Sequence, residues 1–523
     1  MQEKNRTHWS TPFSYAIILI IGIAIGLFVK GGFSWKTTSW RSQNPMEEIM
    51  QIVQSKYVDS LVNDSASIKL ANFYLSQLDP HSVYIPPSEL SEVNDQLAAN
   101  LTGIGIEFQQ FQDSFYVTYV IPEGPAFKGG IQVGDVLWKV DDSLTLSGNK
   151  LTADEVRKKV KGLAHSSLKL TVLRNGKIQN MLLTRANVPI SPIDAFYMLN
   201  DSTGYIRLNK FTDRTYEAFM QSLDALLQKG MKSLVFDLRN NGGGLLSEAV
   251  AIADDLLSGN KLIVYTQGAH SPRVDYYSKR EGLFEKGTLT ILMNESSASA
   301  SEVLAGAMQD WDRATIVGTR SFGKGLVQQQ FNLSNGGALR LTTAKYYSPL
   351  GRNIQRTYEK GKIAYEDDFM ARVHDDALGK PDSNFRGEAF KTPKGKVVYG
   401  GGGIYPDKWV AETPIKWDSS NSFIADHNYL NEFVFQFYKN HMSEIQKMKS
   451  PKELIVAYSK ETILQNFLTF IESKSHIKKG FTQEQKQQLF SQILASISRM
   501  KWYKNGFYEV YNQLDPVFAK MIY

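Results

Sequence analysis

The chain has 523 residues, 42% hydrophobic and 21% charged, which describes a folded rather than a disordered protein and one too long for a single core. Its net charge of +6 is small for that length and no compact basic block is present, so no nucleic-acid partner is expected. There is no cysteine, which excludes disulfides, thiolate metal sites and a cysteine nucleophile, and the eight histidines form no HExxH pair, so no metal or cofactor is expected either.

Residues 1–12 are polar and read as a cytoplasmic N-terminus. The run Phe13–Val29 then carries no charge. Seventeen residues reach about 26 Å as a helix, near the lower limit for a span, and Lys30 can snorkel if the segment extends to 32. No small-x-small cleavage site follows, so 13–32 is expected to be an uncleaved signal anchor with the bulk of the chain outside. A cleaved signal peptide is the competing reading.

Residues 44–97 have helical spacing in "PMEEIMQIVQSKYV" and "SASIKLANFYLSQL", broken by the prolines of "DPHSVYIPPSEL", and form an N-terminal helical segment. Residues 98–186 turn β-rich, with short alternating strands, an amphipathic helix in "LTADEVRKKVKG" and a hairpin at Asn175-Gly176. From 187 to 412 strands and helices alternate in an α/β pattern. "SLVFDLRNNGGG" is a buried strand entering a glycine turn, and "TLTILMNESSASA" is an apolar strand running into a helix. Residues 413–523 form a C-terminal helical domain.

The junction after "TLTILMN" is where chemistry is expected. A strand end in an α/β core points outward, and the helix that follows offers free backbone N–H groups and a positive dipole end. A serine there can attack a carbonyl if a base takes its proton. No GxSxG elbow supports a Ser–His–Asp arrangement, although sequence distance does not exclude one. The other candidate base is Lys324 in "RSFGKGLVQQQF", between two glycines. Working near neutrality requires its pKa to fall by roughly three units, about 4 kcal/mol, which apolar neighbours could supply. Gln328 could orient the amine without recharging it. A surface lysine in a glycine turn competes with this reading, and "DLRNNGGG" alone could be a tight turn or a phosphate cradle.

Eight segments in order, "LDPHSVY", "TGIGIEF", "EGPAFKGGIQVGDVLWKVD", "FDLRNNGGG", "SASASEVLAGAMQD", "GTRSFGKGLVQ", "YYSPLGRNIQ" and "GGGIYPD", cover roughly residues 45 to 407. Together they resemble the carboxyl-terminal processing (tail-specific) serine peptidases. The resemblance implies a multidomain α/β + β protein: a crotonase/Clp-like α/β serine-peptidase core, a PDZ β-domain, and helical segments at both ends. It implies Ser299 as nucleophile and Lys324, 25 residues later, as base. It gives Gln328 a lysine-orienting role, Glu302 a supporting one, and the amides of Gly244 and Ala300 the oxyanion. In the PDZ domain, Ile104, Gly105 and Ile106 would capture a peptide's terminal carboxylate while the peptide adds as a strand. Val156 and Val160 would line the side-chain pocket, with plain core packing the alternative for both. "GLAHSS" stands where the family often has a glycine-proline-rich turn and is read as loop variation. The C-terminal domain matches nothing in the resemblance.

The implied activity is that of a membrane-anchored endopeptidase acting on proteins with apolar C-termini, without metal or ATP, facing the periplasm or exterior from a bacterial inner membrane. Homo-oligomerisation and an adaptor protein stay open. The rival readings are a catalytically silent PDZ scaffold and a small-ester hydrolase.

Overall fold

The computed structural model describes residues 63–97, 100–148, 150–380, 387–412, 415, 422–475 and 480–522, with isolated helical positions before residue 63. The expected N-terminus 1–12 lies outside the described residues, as does the anchor 13–32 apart from single positions. Among the described residues no helix is long and apolar enough to cross a membrane. Residues 1–69 form one unit and the rest of the chain a second, compact one.

Two helices, α1 (Asn63–Ser76) and α2 (Pro87–Leu97), flank a short strand, β1 (Val83–Ile85). That strand departs from the helical reading of 44–97. The prolines at 80, 86 and 87 stop both helices from continuing through it. It pairs antiparallel with a strand some 250 residues away, a partner no local pattern reveals.

The β-rich region forms a sheet of β2 (Ile106–Phe111), β3 (Ser114–Val120), β4 (Val136–Val140), β5 (Ser167–Arg174) and β6 (Lys177–Thr184), in that spatial order, with β2 at an edge. Helix α3 (Ala153–Val160) packs on it through Val156 and Val160, and a Thr152/Glu155 capping box starts the helix. Asn175 and Gly176 both take positive φ, as the tight β5–β6 turn requires.

The α/β region holds a sheet in the order β7 (Ile193–Met198), β8 (Thr203–Leu208), β9 (Ser233–Asp237), β12 (Thr288–Met293), β13 (Thr315–Gly318) and β16 (Lys408–Trp409). All pairs are parallel except β7–β8. Helices α4 (Thr215–Gln228), α5 (Leu246–Leu256) and α6 (Ala300–Asp310) pack with this sheet in the largest core, and every residue of α6 is buried. An antiparallel sheet joins β1, β10 (Leu262–Gly268), β11 (Ser271–Tyr277), β14 (Leu326–Asn332) and β15 (Ala338–Tyr347).

Side chains alternate across a strand, so the first sheet has a second apolar face. Ala195, Tyr197, Tyr205, Val235, Leu292 and Val317 lie on it, and the C-terminal region covers it with Phe518 and Met521. The helices there include α7 (Tyr429–Asn440), α8 (Lys460–Ser475), α9 (Gln483–Leu514) and α10 (Pro516–Ile522), around a core of their own. Covering this face is a role the sequence left open.

Candidate active site

Strands β9 and β12 run side by side in parallel, so their carboxyl ends deliver the glycine turn and the serine-rich turn to one place. The two turns are laced by hydrogen bonds. Asn240 N–H donates to Asn294 Oδ1 and Asn294 Nδ2 donates to Asn240 Oδ1, each at 2.9 Å. Ala298 N–H and Ser301 Oγ both donate to the Asn241 carbonyl, at 3.0 and 2.9 Å. Ser297 Oγ donates to the Leu238 carbonyl at 2.8 Å. Ser297 and Ser301 are wholly buried and thus structural, whereas Ser299 is half-buried.

Ser299 sits at the N-cap of α6 with φ 57° and ψ −113°, a conformation a serine rarely adopts. Gly243 and Gly244 reach it from the neighbouring turn at φ 91° and 145°. A Cβ on Gly243 would lie 2.8 Å from Ser299 Cβ and 2.9 Å from the Ala300 nitrogen. The glycines are therefore required by close approach as well as by φ. Neither the Gly244 nor the Ala300 amide has a hydrogen-bond acceptor among the described residues.

Glu302 joins this turn to the lysine loop. Its Oε2 accepts the amides of Ser299 and Lys324 at 2.7 and 2.9 Å, and its Oε1 accepts the Gly323 amide and Ser321 Oγ at 2.7 and 2.5 Å. Burial pushes this carboxyl up to about 7, against the pull of those four donors. Tyr346 OH adds a second link, donating to the Ser299 carbonyl at 3.1 Å and lying against the Lys324 carbonyl.

Lys324 Nζ donates to Gln328 Oε1 at 2.8 Å. Gln328 Nε2 donates to the His81 carbonyl at 2.8 Å, which fixes the amide with its oxygen toward the lysine. Burial, helped by the Arg340 charge, lowers the Lys324 pKa from its ordinary value. No hydrogen bond joins Lys324 Nζ to Ser299 Oγ among the described residues. His81, whose carbonyl holds Gln328, is pushed down to about 4 by burial and the nearby Lys324 charge.

Several residues that hold the site carried no local signal. Asp79 accepts the His81 and Ser82 amides at 2.8 Å each and Ser82 Oγ at 2.5 Å, shaping the turn that anchors Gln328. Gln355 Oε1 accepts the Gly325 amide at 2.8 Å. Asp237, just before the glycine turn, accepts Tyr205 OH, Arg207 Nη1 and Arg239 Nη2, each at 2.6 Å.

The PDZ-region candidates lie apart from this cluster. Ile104, Gly105, Ile106 and Val160 border a cavity of about 1000 Å³. Val156 does not border it: the face of α3 that carries both valines packs into the sheet core, and Val156 is completely enclosed there, so its expected place in the pocket is corrected to core packing.

Residues 202–363 match the profile of Peptidase family S41 and residues 102–184 that of the PDZ domain. A carboxy-terminal-processing protease of Bartonella bacilliformis (strain ATCC 35685 / KC583 / Herrer 020/F12,63) is 35% identical over 316 residues, 59% of this chain and 71% of that one. A probable CtpA-like serine protease of Staphylococcus aureus (strain N315) is 30% identical over 341 residues, 65% of this chain and 68% of the other. Among solved structures, a photosystem II D1 C-terminal processing protease is similar over 73% of this chain and 91% of its own, at 26% identity and a TM-score of 0.39. The chain belongs to peptidase family S41, as a serine-type carboxy-terminal-processing protease that carries a PDZ domain.

Proposed function

We propose that this peptidase works through a Ser299–Lys324 pair. Neutral Lys324 takes the Ser299 Oγ proton as Oγ bonds to the scissile carbonyl carbon. The Gly244 and Ala300 amides receive the oxyanion. The carbon–nitrogen bond breaks as Lys324 returns its proton to the leaving amine; water, deprotonated by Lys324, then adds to the ester carbon, and the carbon–oxygen bond breaks as Lys324 returns that proton to Ser299 Oγ. The observation that carries this reading is the partner of Lys324: a half-buried amine facing a neutral amide oxygen, on a loop bound through Glu302 to the Ser299 turn. A carboxylate in place of Gln328 would keep the amine protonated.

The PDZ domain, taken as 98–186, captures the apolar C-terminal tail of a protein substrate at Ile104–Ile106 and presents the chain to a peptidase core taken as 187–412. The N-terminal segment 13–32 anchors the enzyme in a bacterial inner membrane with its catalytic part facing the periplasm or exterior. Cleavage of a protein ending in apolar residues, but not of the same protein ending in charged ones, tests both halves. Wild type, Ser299→Ala and Lys324→Ala are compared. Loss in both variants is expected; cleavage surviving Lys324→Ala overturns the pair.

A further inference from the structure

The C-terminal helical region borders the same cavity as the PDZ loop. Trp502, Tyr503, Lys504 and Asn505 of α9 line it together with Ile104–Phe108. At this point α9 is not helical: Trp502 has φ −106°, ψ 15° and Tyr503 has φ 60°, ψ −154°. Positive φ is a costly place for an aromatic residue, and it persists only where surrounding contacts impose it. The contacts are specific. The Tyr503 ring meets Tyr119 edge-on at 5.1 Å, Lys504 Nζ pairs with Asp194 at 2.6 Å, and Asn505 Oδ1 accepts the Phe196 amide at 2.8 Å. One turn earlier, Arg499 pairs with Glu107 at 2.7 Å.

Two strands turn their edges to this cavity. Ile106, Glu107 and Phe108 are consecutive in β2 and all border it, which alternating side chains achieve only if the cavity lies along the strand's edge. Ile193 to Phe196 of β7 border it in the same way, but Asn505 occupies an amide of that edge. Strand addition is therefore favoured at β2, beside the Ile104 and Gly105 amides, which have no acceptor among the described residues.

A tail added to β2 alternates its side chains between two faces. Ile106 lies opposite Val120 and faces the PDZ core and Val160. Glu107 lies opposite Tyr119 and faces α9. We infer that the kink of α9 is the second half of the tail-reading site: the PDZ pocket reads the last residue, and Tyr503, with Tyr119, reads the penultimate one, selecting an apolar or aromatic side chain. This rests on the tail capture proposed above.

The test uses the full chain and a substrate protein whose tail varies at one position at a time: leucine, glycine or aspartate as the penultimate residue, or a charged residue as the last. The variant is Tyr503→Gly, since glycine takes φ 60°, ψ −154° without strain and removes the ring. Wild type is expected to favour penultimate leucine by about tenfold in KM with kcat unchanged. Tyr503→Gly should erase that preference and keep the preference at the last residue. A penultimate preference that persists in the variant, or a KM raised equally for all tails at an unchanged melting temperature, overturns the inference. Indifference of wild type to the last residue would instead overturn tail capture itself, and the inference with it. Melting by circular dichroism identifies a misfolded variant; Arg499→Ala, which unpairs Glu107 on the same face, then repeats the tail series with the same two readings.

Discussion

Ser299 and Lys324 are tied through one oxygen atom: Glu302 Oε2 accepts both of their backbone amides, at 2.7 and 2.9 Å. The side chains that the proposed chemistry needs are thereby left unbonded to the carboxylate, while the loops that carry them are fixed. Glu302→Gln keeps the shape but turns an NH₂ group toward two of the four donors. Each buried donor left without an acceptor costs about 1–3 kcal/mol. A lower melting temperature is expected, with peptidase activity down about tenfold or more. The carboxyl is raised from its ordinary value of 4.5 to about 7, so the folded state holds its proton more tightly than the unfolded one. That contribution is full below pH 4.5 and is lost as pH rises through about 7. Melts across this range should show the slope in wild type and a flatter one in Glu302→Gln; identical slopes would mean that Glu302 is not the group titrating.

Activity should rise with pH through a value below the ordinary lysine range, since burial favours the neutral amine of Lys324. His81 is neutral above about 4 and contributes no step near neutrality. Its link to the site is a backbone carbonyl, so His81→Ala should leave the shape of the pH profile intact. Lys324→Arg should be inactive, because a guanidinium stays charged. An inflection that disappears in His81→Ala would hand the base role to the histidine.

Gln328→Glu is the complementary change. A carboxylate 2.8 Å from Nζ favours the ammonium form and should move the rising limb up by about 1–3 pH units. Below that limb each unit is a tenfold loss, so activity near neutrality falls at least that far while partial recovery appears in alkali. Activity unchanged at neutral pH would show that Lys324 does not have to be neutral to work.

Elements whose cause is local were legible in the sequence, and those whose cause is distant were not. The apolar run of β12, the glycine turn after β9 and the hairpin at Asn175-Gly176 each announce themselves within a dozen residues. Serines 297, 299 and 301 look alike in sequence. Only bonds to the Leu238 and Asn241 carbonyls, from a different βα unit, mark two of them as structural. The resemblance singled out Ser299 where periodicity could not. Strand β1 and the His81 latch on Gln328 depend on contacts 247 or more residues apart in the chain. For Val156 and Val160, helical spacing puts both on one face, but the depth of each depends on how α3 sits on its sheet. The apolar stripes of the C-terminal helices were plain; their second partner, the outer face of the peptidase sheet, was not.

Asp237 anchors that second face. Burial alone would raise its carboxyl, but Arg207 and Arg239 hold it well below the usual carboxylate range. Its stabilising contribution is present above the ordinary aspartate value and disappears only in strong acid. Asp237→Asn leaves the buried Arg207 guanidinium without its ion pair and Arg239 with Glu412 alone, and is expected to cost about 3–5 kcal/mol in denaturant unfolding. A loss under about 1 kcal/mol would mean that the existing Glu412 pair and neighbouring carbonyls compensate both arginines.

The glycine turn gives a test of geometry that changes no functional side chain. Gly243 has φ 91°, and a Cβ there would meet the Ala298 carbonyl at 2.6 Å and Ser299 Cβ at 2.8 Å. Those obstacles sit on the turn that carries Ser299, the proposed nucleophile, so Gly243→Ala must displace either that turn or the glycine turn that holds Gly244. Gly242, one residue earlier, is exposed, and a Cβ there meets nothing within 4 Å. A displacement of about 1 Å at a reacting group costs on the order of a hundredfold in rate. Gly243→Ala is therefore expected to lose about that much in kcat while still folding, and Gly242→Ala to stay near wild type. Equal activities in the two variants would show that the approach of Gly243 to Ser299 does not set the geometry of the reaction.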